Sequence, residues 1–198
     1  TTYMCKILCI TNSSSCKYDF LSHIKILAQS RLCGIVLREK HLTSEQYYKL
    51  AKEVISICGY YNMPVILHSF VDVALRLEHK AIHLPMSVLE NESQRLKNFS
   101  VIGASTHSAE QAKQAESLGA SYITYGHIFA TDCKKGLPPK GADSIAQVVK
   151  SVHIPVYPLG GINQSNYRLV LKQGAEGFAV MSGLMTESYP EILNLANF

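Results

Sequence analysis

The chain has 198 residues, 47% hydrophobic and 17% charged, enough to bury a substantial core in one domain and too apolar for a disordered or collagen-like chain. Its formal charge of +4 comes from Lys and Arg scattered along the sequence rather than gathered in blocks, a pattern that suits small anionic ligands and excludes a basic nucleic-acid stripe. No apolar run approaches the ~20 residues needed to cross a bilayer and residues 1–6 carry no signal-peptide pattern, so a soluble, cytoplasmic protein without a nucleic-acid or membrane partner is expected.

Short β-branched runs alternate with longer segments of helical period along the whole chain. Strands are expected at 6–10, 34–38, 64–68, 81–84, 101–105, 122–126, 155–159 and 177–181. A helix is expected over 43–58, with Ser44, Glu45 and Gln46 in its first turn, apolar Leu50, Val54 and Ile57 on one face, and Gly59 as its stop. Similar helices are expected over 108–118, ended by Gly119, and over 163–172, ended by Gly174. Eight βα units of about 25 residues predict an α/β fold, a single (β/α)8 TIM barrel of minimal length occupying 1–198. An open doubly wound sheet could use the same alternation, but no GxGxxG follows the first strand. The cysteines at 5, 9, 16, 33, 58 and 133 form no CxxC pair and read as reduced thiols.

In such a barrel the reacting groups project from the C-terminal strand ends. Those ends carry Arg38 and Lys40, His68, His83, Ser105 and His107, then 127–135, then Gly160 and Gly161, then Ser182 and Gly183, a set rich in cations and poor in carboxylates. Glycines and a hydroxyl after strands seven and eight suit a phosphate, although tight turns and a helix cap would use the same residues. Arg38 and Lys40 lie two apart on an extended segment, placed either to hold a carboxylate or phosphate together or to sit at a solvated edge beside Glu39 or Glu45. Lys134 and Lys135 follow Thr131, Asp132 and Cys133 in a Gly- and Pro-rich loop that reads as a mobile flap over the mouth. The histidines come from different units without HxH or HExxH spacing, so no metal or other cofactor is expected. His83, between Ile82 and Leu84, reads as a satisfied barrel histidine, and His107 as serving the start of the fifth helix. His127, directly after the sixth strand, is placed either for structure or to act as general base and then general acid.

End to end, the chain resembles the thiamine phosphate synthase and TenI superfamily of small barrels. The matching pieces include Val36-Leu37-Arg38-Glu39-Lys40, Gly103-Ala104-Ser105-Thr106-His107-Ser108, Gly126-His127-Ile128-Phe129, Pro158-Leu159-Gly160-Gly161-Ile162 and Ala179-Val180-Met181-Ser182. Synthases of this superfamily carry an Asn-Asp pair at the third strand end and an Asp after the fourth, which hold magnesium. Here those positions read His68-Ser69 and Val88, and the pyrimidine-contacting Gln is Val36. Synthases also read Gly-Pro-Ile-Phe followed by Thr-x-Thr-Lys, where this chain has His127 for the Pro and Cys133 for the second Thr.

His127 in that place is similar to the TenI-type thiazole tautomerases, in which the histidine transfers the proton that aromatises a thiazole carboxylate phosphate. The resemblance therefore implies an isomerase of thiamine biosynthesis acting on a small phosphorylated thiazole. It makes His127 catalytic, puts the phosphate on Thr131, Gly160, Gly161, Met181 and Ser182, and leaves Arg38, Lys40 or Lys134 for the carboxylate, with Ser105 also on the substrate. Thiamine phosphate synthase and a non-catalytic TenI-type regulator are the alternatives. Association into a homo-oligomer through outer helices stays open.

Overall fold

Alternation with a period of two sorts each strand into an inward and an outward row, and here both rows are covered. A computed structural model describes residues 6–131, 134 and 136–186. Eight parallel strands, β1 (Lys6–Ile10), β2 (Gly34–Leu37), β3 (Val65–His68), β4 (Ala81–Pro85), β5 (Val101–Thr106), β6 (Tyr122–Gly126), β7 (Val156–Leu159) and β8 (Gly177–Val180), pair in chain order into a closed barrel. The seam between β1 and β8 runs from Lys6 opposite Gly177 to Cys9 opposite Val180. The expected eight-stranded TIM barrel is thus the observed one.

The helices are α1 (Phe20–Ala28), α2 (Ser44–Tyr60), α3 (Val71–Arg76), α4 (Met86–Asn91), α5 (Ala109–Ser117), α6 (Asp143–Ser151), α7 (Tyr167–Leu171) and α8 (Ser182–Thr186). Outward residues such as Ile7, Ile35, Leu37, Leu67, Ile123 and Phe178 pack under these helices and are fully buried. Inside the barrel, Leu8, Ile10, Val36, Ile66, Tyr122, Tyr157 and Ala179 form a separate apolar cluster that fills the interior. None of the described helices is long and apolar enough to cross a membrane.

Local chemistry explains the helix ends, and two of them differ from the sequence reading. Thr43 and Gln46 form a reciprocal capping box at the start of α2. Gly59 does not stop this helix, which runs on to Tyr60. The stop is Asn62, in the left-handed region at φ 56°. Its N–H donates to the Gly59 carbonyl while Met63 N–H reaches back to Cys58, 2.9 Å away, the pairing of a Schellman motif. The same motif, with Gly119 at φ 93°, ends α5 as expected. The seventh helix is shorter than 163–172, beginning at Tyr167, because the Asn166 side chain caps the Asn163 N–H at 2.8 Å and holds 163–166 in a turn.

Candidate active site

Continuing each inward row by one more step opens a cavity of about 480 Å³ at the C-terminal end of the barrel. Arg38 lies two residues beyond Val36, His68 two beyond Ile66, Thr124 two beyond Tyr122 and Met181 two beyond Ala179, and all four line the cavity. So do all the other residues assigned from sequence: Lys40, Ser105, His127, Thr131, Lys134, Gly160, Gly161 and Ser182. Asp132, Cys133 and Lys135 lie outside the described residues, and with them the centre of the expected flap.

One wall is cationic. Arg38, Glu39 and Lys40 alternate sides, so Glu39 turns away from the cavity and is fully buried. Its carboxylate accepts from the Thr11 hydroxyl at 2.6 Å, the Ser13 hydroxyl at 2.6 Å and the Ser13 N–H at 2.9 Å. Glu45 pairs with Arg76 at 2.8 Å. The carboxylates that could have neutralised Arg38 and Lys40 at a solvated edge are therefore committed elsewhere. Arg38 reaches over the end of β1 to within 4.0 Å of Met181 Sδ. Partial burial, together with the charges of Arg38 and Lys134, lowers the Lys40 pKa below its ordinary value. An anion would restore it.

The floor is built from neutral imidazoles. His68 and His83 are register partners on β3 and β4 and stack with ring centres 5.5 Å apart. Burial, and then the charges of His83, Arg38 and Lys40, lowers His68 to about 2; burial lowers His83 to about 3. His68 Nδ1 lies 2.7 Å from Ser69 Oγ. His83 bridges Tyr122 OH at 2.9 Å and Ser105 Oγ at 2.8 Å, and is the satisfied barrel histidine expected, but it also faces the cavity. His68, His83 and Thr124 were absent from the sequence-based binding set; their inward parity is the signal that places them.

On the opposite rim, β6 delivers His127, and β7 delivers the two glycines against which it packs. A side chain at Gly160 would meet His127 Cα at 2.8 Å, and one at Gly161 would meet Phe129 Cβ at 2.8 Å; their φ values of 105° and 65° also favour glycine. Ile128 N–H donates to Leu159 O at 2.9 Å and Phe129 N–H to Gly160 O at 3.0 Å. The glycine pair therefore does more than permit a turn: it seats the loop that carries the histidine. The return of that loop is tied by Lys140 N–H to the His127 carbonyl at 3.1 Å and Gly141 N–H to Ile128 O at 2.9 Å.

His127 Nε2 lies 3.3 Å from the Leu137 carbonyl. A carbonyl can only accept, so in the neutral ring Nε2 carries the proton and Nδ1 keeps the lone pair of a base. His107 serves the helix start through its N–H, which donates to Gln111 at 2.8 Å. Its ring does something further: Nδ1–H donates to the carbonyl of Gly126, 2.8 Å away, immediately before His127.

The magnesium of the synthase pattern does not fit these residues. Magnesium requires hard oxygen ligands, usually carboxylates. His68 and Ser69 are bonded to each other, Val88 packs against the core on α4, and no carboxylate among the described residues lines the cavity. Among the described residues no cluster of His, Cys, Asp or Glu could hold a metal ion.

Comparison with known proteins agrees with the fold. The family model described as thiamine monophosphate synthase (TMP-TENI) matches residues 7–184. Thiamine-phosphate synthase from Fusobacterium nucleatum is 33% identical over 186 residues, 92% of this chain and 90% of its own length. The protein of the same name from Clostridium botulinum is 32% identical over 169 residues, 82% of each chain. The solved thiamine phosphate pyrophosphorylase from Pyrococcus furiosus superposes with a TM-score of 0.82 at 28% identity, over 98% of this chain and 93% of that one. With a barrel that superposes over nearly the whole chain and a family model that spans residues 7–184, the chain belongs to the thiamine monophosphate synthase (TMP-TENI) family.

Proposed function

We propose that the cavity is a metal-independent isomerase site, a thiazole tautomerase of thiamine biosynthesis acting on a thiazole carboxylate phosphate. The observation that carries this reading is the composition of the cavity: a histidine with an available lone pair faces a cationic wall, and no described carboxylate is present to hold magnesium. A proton shift needs one acid/base group and neither a leaving group nor a redox partner. Nδ1 of His127 takes the proton from the ring carbon beside the carboxylate, and the electron pair moves through the ring toward the exocyclic carbon. The imidazolium then returns its proton to that carbon, which restores the base and leaves an aromatic thiazole.

Arg38, Lys40 and Lys134 stabilise the charge that spreads onto the carboxylate as the adjacent carbon is deprotonated. The phosphate lies against Gly160, Gly161 and the first turn of α8 at Ser182, with Met181 and Thr131 beside it. Burial of the substrate under these groups strengthens every charge interaction and keeps water from the exposed carbanion.

Absorbance at the aromatic thiazole band, followed after adding the non-aromatic isomer, measures the reaction. His127→Gln is expected to lower kcat by about a hundredfold or more, the usual contribution of one general acid/base group. Full activity in that variant refutes the assignment of His127.

Thiamine phosphate synthase is the second reading, favoured by the similarity to proteins that bear that name. Magnesium-dependent coupling of the hydroxymethylpyrimidine pyrophosphate to thiazole phosphate would establish it. Wild-type protein that performs the coupling and leaves the non-aromatic isomer unchanged overturns the tautomerase reading.

A further inference from the structure

We propose that Tyr122 and His83 are positioning residues that fix the direction of the Ser105 hydroxyl, so that it donates into the cavity to an acceptor atom of the bound ligand. The chain of reasoning starts below the cavity floor. Tyr122 is 7% exposed, inside the barrel, and among the described residues its hydroxyl has His83 Nδ1 as its hydrogen-bond partner, at 2.9 Å. If that hydroxyl only accepted, its own proton would be stranded in the apolar interior, a situation native structures avoid. Tyr122 therefore donates and His83 Nδ1 accepts.

A neutral imidazole carries one proton, so the acceptance at Nδ1 puts it on Nε2. That N–H points at Ser105 Oγ, 2.8 Å away, with Thr124 Oγ1 at 3.5 Å as a weaker second contact. The Ser105 oxygen is then an acceptor toward His83, and its own O–H must find another partner. Ser105 is half-buried and lines the cavity, so the vacant direction is the ligand side.

Two further features hold this arrangement. A side chain at position 103 would run into both His83 Nδ1 and the Tyr122 hydroxyl, so Gly103 on β5 leaves the space in which they meet. Protonating His83 would set an N–H against the Tyr122 O–H, and burial already lowers the His83 pKa to about 3. The ring thus stays neutral at working pH and passes on a fixed polarity. Arg38, Lys40 and Lys134 are donors only, so a directed Ser105 adds a donor from β5 that faces the cationic wall. That donor suits carboxylate oxygens, phosphate oxygens or a bare ring nitrogen and rejects an ammonium or N–H group.

The ring can be read directly by NMR of the full chain labelled with 15N-histidine, without ligand, the His83 signal being assigned by its loss in His83→Gln. The expected result is one neutral tautomer across pH 5–8, with Nδ1 bare and Nε2 showing the one-bond proton coupling. Tyr122→Phe is expected to admit the Nδ1-protonated form. A wild-type ring protonated at Nδ1, or charged, overturns the proposal.

A second arm uses titration calorimetry and rests on the tautomerase reading for its probe, the aromatic thiazole carboxylate phosphate. Ser105→Ala and Tyr122→Phe should each weaken its binding about tenfold, the loss of one charge-assisted hydrogen bond, and the double variant should lose no more than either alone. Binding of inorganic phosphate should be unchanged. Independent, additive losses overturn the proposal. Absence of binding by the wild type would count against the tautomerase reading, while the NMR result still decides the role of Tyr122 and His83.

Discussion

Lowering the pH should destabilise this barrel through His68 and His83, and the size of the effect follows from their burial. Free in an unfolded chain, each would titrate near the usual 6.5, whereas in the fold they are held to about 2 and about 3. Between those limits the unfolded chain binds more protons than the native one, so stability rises with pH and is lost as pH falls below 6.5. The native state gives up about 1.4 kcal/mol per pH unit for each ring once the unfolded histidine is mostly charged.

At about pH 5 the penalty is roughly 2 kcal/mol per histidine, about 4 kcal/mol for the pair, against a typical net stability of ~5–15 kcal/mol. With a urea m-value of about 2 kcal/mol/M, the midpoint should drop by about 2 M between about pH 7.5 and pH 5. Urea titrations followed by circular dichroism at the two pH values provide the measurement. Carboxylates elsewhere add their own dependence, so the decisive quantity is the difference between wild type and variants in which the rings are replaced by amides. His68→Asn should remove about half of the pH-dependent loss, and His68→Asn with His83→Gln most of it. A wild type and a double variant with equal midpoint shifts would refute the claim that these imidazoles are neutral in the fold.

Two further outcomes follow from the same geometry. Gly160→Ala places a Cβ against His127 Cα on a backbone at φ 105°, and should cost about 1–3 kcal/mol in a thermal or urea melt. Because the histidine must shift to make room, turnover should fall as well; an active enzyme with lowered stability would show that the His127 position tolerates movement. Lys40→Met should weaken binding of the carboxylated thiazole phosphate by about tenfold while affecting the analogue without a carboxylate much less. Equal losses for the two compounds would assign Lys40 to the phosphate instead.

Much of this architecture was legible in the amino-acid order because strand and cavity obey the same alternation. Runs such as 6–10 and 122–126 carry apolar residues on both rows, the mark of parallel strands covered by helices, and their limits agree with the observed β1 and β6. Helix ends were harder. Gly59 and Asn62 are both plausible stops by composition, and only the path of Met63 back to Cys58 decides between them. The cationic wall was visible as Arg38 and Lys40 two apart, but the commitment of Glu39 to Thr11 and Ser13 depends on a partner 26 or more residues away.

The floor was missed for a different reason. His68 and His83 belong to separate units and acquire meaning only through the register that sets them side by side. In the same way, a glycine pair reads as a flexible turn until the neighbouring strand brings His127 against it.

That last contact makes one rigid body of two parts usually considered separately. The loops after β6 and β7 are joined backbone to backbone, so if His127 is the base and Gly160 and Gly161 seat the phosphate, as proposed, the span between them is set by the backbone and not by the ligand. On that reading the barrel mouth works as a ruler: a compound would be read by the length between its anionic tail and its acidic carbon, and one with a longer or shorter tether would be gripped yet left unreacted.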